Sequence, residues 1–186
     1  MSRRHCRHPI YPKMQILLIR HAIAEDFEAF ALTGRQDQDR PLTECGRKRM
    51  SKAARGIRRL VPALDLLVGS PLTRATETAD LVAEAYAARN ARPPQLTFDG
   101  LAPERSLDPV FAWIQAQPRD SVTALVGHEP ELSLLLGRLL CGREQSWFHF
   151  KKGGACLLER ETDSGFRLQW ALTPAQLRAL GVGVIE

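Results

Sequence analysis

Met14-Gln15-Ile16-Leu17-Leu18-Ile19 runs directly into Arg20-His21-Ala22, and the reading of these nine residues decides the fold. A six-residue stretch rich in Ile and Leu is the pattern of a strand buried on both faces, as in a parallel sheet covered by helices. Just behind it stand a fixed cation and an imidazole. Imidazole is a neutral nucleophile near neutral pH, because its ordinary pKa is about 6.5. Arginine offers a planar charged fork that suits phosphate oxygens. Ligands bind at the carboxyl ends of strands in open α/β sheets, so the pair points to a histidine that accepts a phosphoryl group. Taken alone, a His at a strand end is more often an ordinary loop residue.

The chain after this strand alternates in character. Residues 25–40 are polar and irregular, a long loop on the ligand side with room for a short helix. Thr43 reads as the N-cap of a helix through about Leu60, with Met50, Ala53, Ala54, Ile57 and Leu60 on one stripe and Pro62 behind it. Residues 64–68 are the second buried strand, stopping at Gly69-Ser70-Pro71. Thr73 is expected to cap a helix through about Ala88, with Ala75, Thr78, Ala79, Val82 and Tyr86 on its apolar face. Residues 95–98 form a short strand and 99–107 an irregular connection. Asp108-Pro109 opens a helix carrying Val110, Trp113 and Ile114, which Pro118 closes. Residues 122–126 are a strand that turns through Gly127-His128-Glu129-Pro130 into the apolar helix 132–140. Residues 155–159 and 166–172 read as an antiparallel pair around a turn at Asp163-Ser164-Gly165, and Pro174 begins a last short helix. Strands alternating with helices of this length imply a three-layer α/β/α sandwich, its central sheet mostly parallel with an antiparallel edge.

Composition sets the limits. At 186 residues, 44% hydrophobic and 25% charged, the chain is an ordinary globular protein of one domain over residues 14–186. The formal net charge of +5 invites a nucleic-acid partner, so its location matters. Of the 26 Lys and Arg, four (Arg3, Arg4, Arg7 and Lys13) lie in the first thirteen residues with no acid beside them, leaving 22 against 21 Asp and Glu. The domain itself is nearly neutral, and no nucleic-acid partner is expected. Residues 1–13 read as a disordered basic extension ahead of a start at Met14. No apolar run is long enough for a membrane span or a secretory signal, so a cytoplasmic protein without a membrane partner is expected. The four cysteines are widely spaced and read as reduced thiols. His5-Cys6-Arg7-His8 could grip a metal, but one thiolate and two imidazoles in a floppy arm do not make a designed site.

Two more strand ends carry chemistry. In Ser70-Pro71-Leu72-Thr73-Arg74-Ala75-Thr76-Glu77-Thr78, Arg74 falls in the first turn of a helix. That helix end offers free backbone N–H groups and partial positive charge, so a cation there is costly unless an anion binds. In Gly127-His128-Glu129, a second His meets a helix start; beside a phosphate it becomes protonated and donates. Each has a bland reading, a solvated arginine and a structural loop histidine. All three sites lie at carboxyl ends of strands in one parallel sheet, so they are expected to converge.

With these motifs in hand, the chain resembles the histidine phosphatase superfamily, which has the phosphoglycerate mutase-like fold, and within it the SixA-type phosphohistidine phosphatases. The resemblance rests on Leu18-Ile19-Arg20-His21-Ala22, Arg40-Pro41-Leu42-Thr43-Glu44-Cys45-Gly46, Ser70 through Ala79, and Val126-Gly127-His128-Glu129-Pro130, in family order over residues 14 to 172. It implies that His21 is the nucleophile, that Arg20, Arg74 and His128 complete the phosphate pocket, and that Arg40 is a further ligand. A transferring phosphoryl spreads charge over three oxygens, which two arginines and an imidazolium neutralise; no metal and no other cofactor is expected. Many superfamily members place an acid opposite the nucleophile. Asp99, Glu104 and Asp108 lie in the corresponding region, and Glu104 is the candidate, against a solvated loop carboxylate. The SixA-like group dispenses with this acid, since protonated phosphoimidazole leaves as neutral imidazole and needs little help.

The expected activity is hydrolysis of phosphohistidine on a protein of the histidine-containing phosphotransfer type, through a phosphohistidine enzyme intermediate. Short segments between strands leave an open site that suits a protein side chain better than an enclosed metabolite. The alternatives are a phosphomonoesterase for a small metabolite and a non-catalytic phosphate or phosphoprotein binder. The sequence leaves the oligomeric state open.

Overall fold

A computed structural model of the chain describes residues 13–89, 91–161 and 165–182. The basic extension, apart from Lys13, and most of the expected turn at 163–165 lie outside the described residues. The elements run β1 (Gln15–Arg20), α1 (Phe27–Ala31), α2 (Glu44–Leu60), β2 (Leu66–Gly69), α3 (Thr73–Ala87), β3 (Gln95–Thr97), α4 (Asp108–Gln115), β4 (Val122–Gly127), α5 (Glu131–Cys141), β5 (Ala155–Arg160), β6 (Phe166–Leu172) and α6 (Pro174–Gly181). Single 3₁₀ turns at Asp37–Asp39 and Asp99–Leu101 sit in the loops that were expected to be irregular.

The six strands form one sheet in the order β3-β2-β4-β1-β5-β6. The first four are parallel; β5 and β6 form the antiparallel edge. Successive side chains of a strand point to opposite faces. In β1, Leu17 and Ile19 therefore enter a core shared with α2, α3 and α6, while Ile16 and Leu18 enter a second core shared with α4 and α5. All four are fully buried, which is why the run carries no polar alternation.

Local chemistry accounts for most boundaries. Thr43 accepts the Gly46 N–H and starts α2. Thr173 and Gln176 cap α6 reciprocally. Two boundaries and one buried position differ from the sequence reading. Thr73 is the first helical residue of α3 rather than its cap; the cap position is Leu72, which offers no side-chain acceptor. The second strand begins at Leu66; before it, Asp65 meets Val122 with its N–H on the Val122 carbonyl (2.8 Å) and its carboxylate on the Val122 N–H (2.7 Å). Leu60 reaches solvent at the last turn of α2, whereas Met50, Ala53, Ala54 and Ile57 are buried.

Helices α2 and α6 cross at backbone contact. A Cβ on Gly56 would lie 2.0 Å from the Leu177 carbonyl oxygen, so the crossing needs a glycine there. Gly56→Ala is expected to destabilise the fold by roughly 1–3 kcal/mol, the usual range for forcing atoms into a packed interface. Chemical denaturation measures this, and an unchanged midpoint would contradict the crossing.

Candidate active site

The register of the sheet places three strand ends side by side. Arg20 pairs with Gly127, and Gly69 pairs with Val126. One residue further, the His21 N–H donates to the Gly127 carbonyl (3.0 Å) and the Ser70 N–H to the Val126 carbonyl (3.0 Å). His21, Ser70 and His128 thus leave adjacent strands at one edge. The two imidazoles lie 5.0 Å apart between ring centroids, and both are buried.

Each ring is oriented by one bond. His21 Nδ1 donates to the Ala22 carbonyl at 2.7 Å, since a carbonyl can only accept. That tautomer leaves Nε2 with its lone pair free. The Ala22 N–H is fixed in turn by Thr78 Oγ1, which donates to the Arg74 carbonyl in α3. His128 Nε2 lies 2.8 Å from Ser70 Oγ. With Ser70 donating, His128 Nδ1 carries the hydrogen.

The cations are held from several sides. Arg20 Nη1 donates to the Phe150 carbonyl at 2.6 Å and lies 3.4 Å from His149 Nε2. Glu129 holds the Phe150 N–H at 2.9 Å, so the loop before β5 is tied to the start of α5. Arg74 donates to the Asp37 carbonyl (3.0 Å) and pairs with Asp37 Oδ2 (3.1 Å). Arg40 Nε pairs with Asp37 Oδ1 (2.7 Å), and its Nη1 donates to the Glu25 carbonyl. Asp37 therefore ties Arg40 to Arg74. It is the anion that a cation in the first turn of α3 demands, supplied from within the chain. Arg20 Nε, Arg74 Nε and His128 Nδ1 are buried with no protein partner. Polar groups left over inside an array of positive charge are what an oxyanion can engage.

The structure thus gathers Arg20, His21, Arg40, Arg74 and His128. Glu104 lies elsewhere in character: it is exposed, adopts a left-handed backbone (φ 61°), and its N–H donates to Glu131. Four contributors escape the sequence reading, namely Asp37, Ser70, Thr78 and Lys152. Asp37 stands three residues before Arg40, a spacing that pairs them on a 3₁₀ turn; the contacts of Ser70, Thr78 and Lys152 with the site exist only in the folded chain. Among the described residues no cluster of three or more His, Cys, Asp or Glu is placed to hold a metal ion.

A family model described as the histidine phosphatase superfamily (branch 1) matches residues 16–97. An uncharacterized protein of a Picosynechococcus strain is 35% identical over 144 residues, 76% of this chain and 82% of that one. The chain belongs to the histidine phosphatase superfamily. Its fold is similar to that of the protein histidine phosphatase SixA complexed with tungstate (TM-score 0.75, 21% identity, 88% of this chain and 99% of that chain). It is also similar to phosphoglycerate mutase from Plasmodium falciparum (TM-score 0.62, 14% identity, 86% and 91%). At these identities the likeness is one of fold. Membership in the superfamily supports phosphatase activity.

The electrostatics of this superfamily member set the resting state of both rings. Burial pushes the His21 imidazole down to about 3, and His128, Arg74 and Arg20 press in the same direction. Burial likewise lowers His128 to about 3, with Arg74 the strongest neighbouring charge. Burial first, and then the neighbouring arginines against the opposing Asp37, keep His128 neutral. The protonated form expected from the sequence requires the opposing field of a phosphoryl dianion. Burial opposes ionisation of Asp37, but the hydrogen bonds and charge of Arg40 and Arg74 outweigh it and hold its carboxyl below the usual range. Partial burial, then Arg20, Arg40 and Arg74, lower the Lys152 ammonium, which marks Lys152 as a neighbour of the same site.

Both imidazoles have folded pKa values below their unfolded ones, so the unfolded chain takes up protons first as pH falls. Stability from this source is fully present above about pH 6.5 and declines from there toward pH 3, by at most ~1.4 kcal/mol per pH unit per ring. Thermal unfolding followed from pH 7.5 to 4.5 is expected to show this decline, with a shallower slope in His21→Asn. An equal slope in both proteins would show that His21 is not held neutral by the fold.

Proposed function

We propose that this chain is a phosphohistidine phosphatase acting on a phosphorylated protein, with His21 as nucleophile. The observation that carries the reading is the bond from His21 Nδ1 to the Ala22 carbonyl, which leaves Nε2 unprotonated beside Arg20, Arg74 and His128. In the first step the Nε2 lone pair forms a bond to phosphorus as the bond to the substrate's imidazole breaks. The departing electron pair stays on that nitrogen. A substrate imidazole protonated on its other nitrogen leaves neutral. His21 becomes a phosphoimidazolium that keeps its Nδ1 hydrogen and its bond to Ala22. Water then attacks phosphorus, the P–N bond breaks, and dihydrogen phosphate departs with both water hydrogens while His21 returns to its neutral form.

Arg20, Arg74 and His128 are the groups proposed to receive the equatorial oxygens, with Arg40 as an outer contact released from Asp37 or shared with it. A phosphorylated histidine as substrate is supported by the leaving group. Neutral imidazole needs no strong acid, and the charges that act most on His21 are the cations around it, not a carboxylate. The turns that follow β2 (residues 70–72) and β4 (residues 128–130) are three residues each, which supports a protein rather than a metabolite as its carrier. Asp37 is a positioning residue in this reading, since it sets where Arg74 and Arg40 stand.

Turnover of a phosphohistidine peptide and of p-nitrophenyl phosphate tests the assignment. His21→Ala is expected to lose more than about 10³-fold in kcat on both. Glu104→Gln is expected to leave the phosphohistidine reaction within twofold. Full turnover by His21→Ala would overturn the mechanism, and efficient ester hydrolysis lost in Glu104→Gln would favour a metabolite phosphomonoesterase. Asp37→Asn is expected to lower kcat/KM by roughly ten- to hundredfold through misplaced arginines. An unaltered kcat/KM would remove Asp37 from the account.

A further inference from the structure

A groove leads away from the nucleophile between α2, α6 and the loop before β5. Its first part, about 350 Å³, has an apolar floor of Ala22, Ile23, Met50, Ala53 and Pro174. Arg49, Lys151, Lys152 and Arg178 rim it. A second depression of about 510 Å³ continues from the shared Arg49 and Arg178 past Lys48 and Lys52. The groove adjoins the site through Ala22 and Gly153, which line it and bond to site residues, while His21 itself does not line it. Ala22 supplies the carbonyl that orients His21, and the Gly153 N–H donates to the carbonyls of Arg20 and His21, both at 3.1 Å. Gly153 takes a left-handed backbone (φ 79°) to make that double contact.

The charge along this groove is one-sided. Six cations line it against a single carboxylate, Glu44, which Lys48 already engages at 2.5 Å. Some other surface cations have carboxylate partners, as in Arg47 with Glu77 and Arg138 with Asp108 and Glu144, and others such as Arg35 and Arg105 have none among the described residues; the groove's cations differ in being gathered around one apolar floor. Arg49, Lys52, Lys151, Lys152 and Arg178 have no ion pair among the described residues, in a domain whose total charge is nearly balanced. Unpaired like charges around an apolar floor repel one another and are relieved by an anionic partner that also has an apolar side chain to bury. A nucleic-acid strand lacks its usual platform here, because no aromatic side chain lines either depression. A membrane surface would meet a concavity rather than an apolar ridge.

We propose that this groove binds an acidic segment of the substrate protein. An apolar side chain would sit on Ala22, Ile23 and Met50, and carboxylates would face Arg49, Lys52, Lys151 and Arg178, while the phosphorylated side chain reaches His21. This rests on the reading of the site as one that acts on a phosphoprotein, and it adds what distinguishes one phosphoprotein from another.

Two phosphohistidine peptides of equal length test it, one with Asp and Glu flanking an Ile and one with Ser and Gln in their places. The wild-type enzyme is expected to show a KM roughly fivefold lower for the acidic peptide, the scale of a few exposed charge pairs. In Arg49→Gln/Arg178→Gln that advantage is expected to vanish, with kcat and p-nitrophenyl phosphate turnover unchanged. Salt at 0.5 M is expected to have the same effect as the double substitution. Binding of the unphosphorylated acidic peptide, read by fluorescence anisotropy, is expected to weaken in parallel. Equal KM for the two peptides in an enzyme that hydrolyses both would overturn the groove and leave the proposed activity intact. No phosphohistidine turnover would overturn the activity, while anisotropy still tests the groove separately. Preference for single-stranded RNA or for phosphatidylserine vesicles over the acidic peptide would also overturn it.

Discussion

The pairing of β1 with β4 is the constraint on which the rest of the site depends. Once Ile19 lies against Val126 and Arg20 against Gly127, His21 and His128 must emerge next to each other. The adjoining pairing of Gly69 with Val126 then brings Ser70 and the first turn of α3 to the same edge. A slip of one residue in either register would turn each site residue to the opposite face, and the two fully buried cores oppose any such slip. The energy that places the phosphate-seeking groups is thus hydrophobic, and it is contributed by residues that never meet a substrate.

Around that edge the chain concentrates charge of one sign and removes water from it. Two buried imidazoles beside Arg20 and Arg74 stay neutral, which suits one to attack phosphorus and leaves the other to be charged by what binds. Asp37 is the counterweight. It answers the positive end of α3 and the arginines together, in the place where a phosphoryl oxygen would compete for the same donors. The proposed groove extends this logic outward, from one anionic group at His21 to the carboxylates of the segment that carries it.

Much of this was legible in the sequence because it is local. The run from Met14 to Ile19 gives a strand buried on both faces, and the sheet is mostly parallel with an antiparallel edge, as the alternation of elements implies. Convergence of Arg20, His21, Arg74 and His128 follows from topology alone, since each falls at the carboxyl end of a parallel strand. What escaped depends on contacts that cross the fold. Asp37 sits in a loop and meets Arg74, 37 residues later, only in the folded chain. Thr78 reads as a buried face residue of α3, yet its hydroxyl links the Ala22 N–H to the Arg74 carbonyl. Lys152 belongs to a Gly-rich loop near the carboxyl end of the chain, and only the Gly153 contact with Arg20 and His21 brings it home. Thr73 misled because a Thr before a helical pattern resembles a cap, whereas here the helix begins one residue earlier.

We propose that the fold presents His21 Nε2, and no other atom, as the nucleophile. Rapid quenching under alkaline conditions during turnover, followed by fragmentation mass spectrometry and ³¹P NMR of the phosphorylated peptide, reads both the residue and the ring nitrogen. The account predicts the phosphoryl group on Nε2 of His21. A phosphoryl group on Nδ1 of His21, on His128 or on any other residue would contradict it.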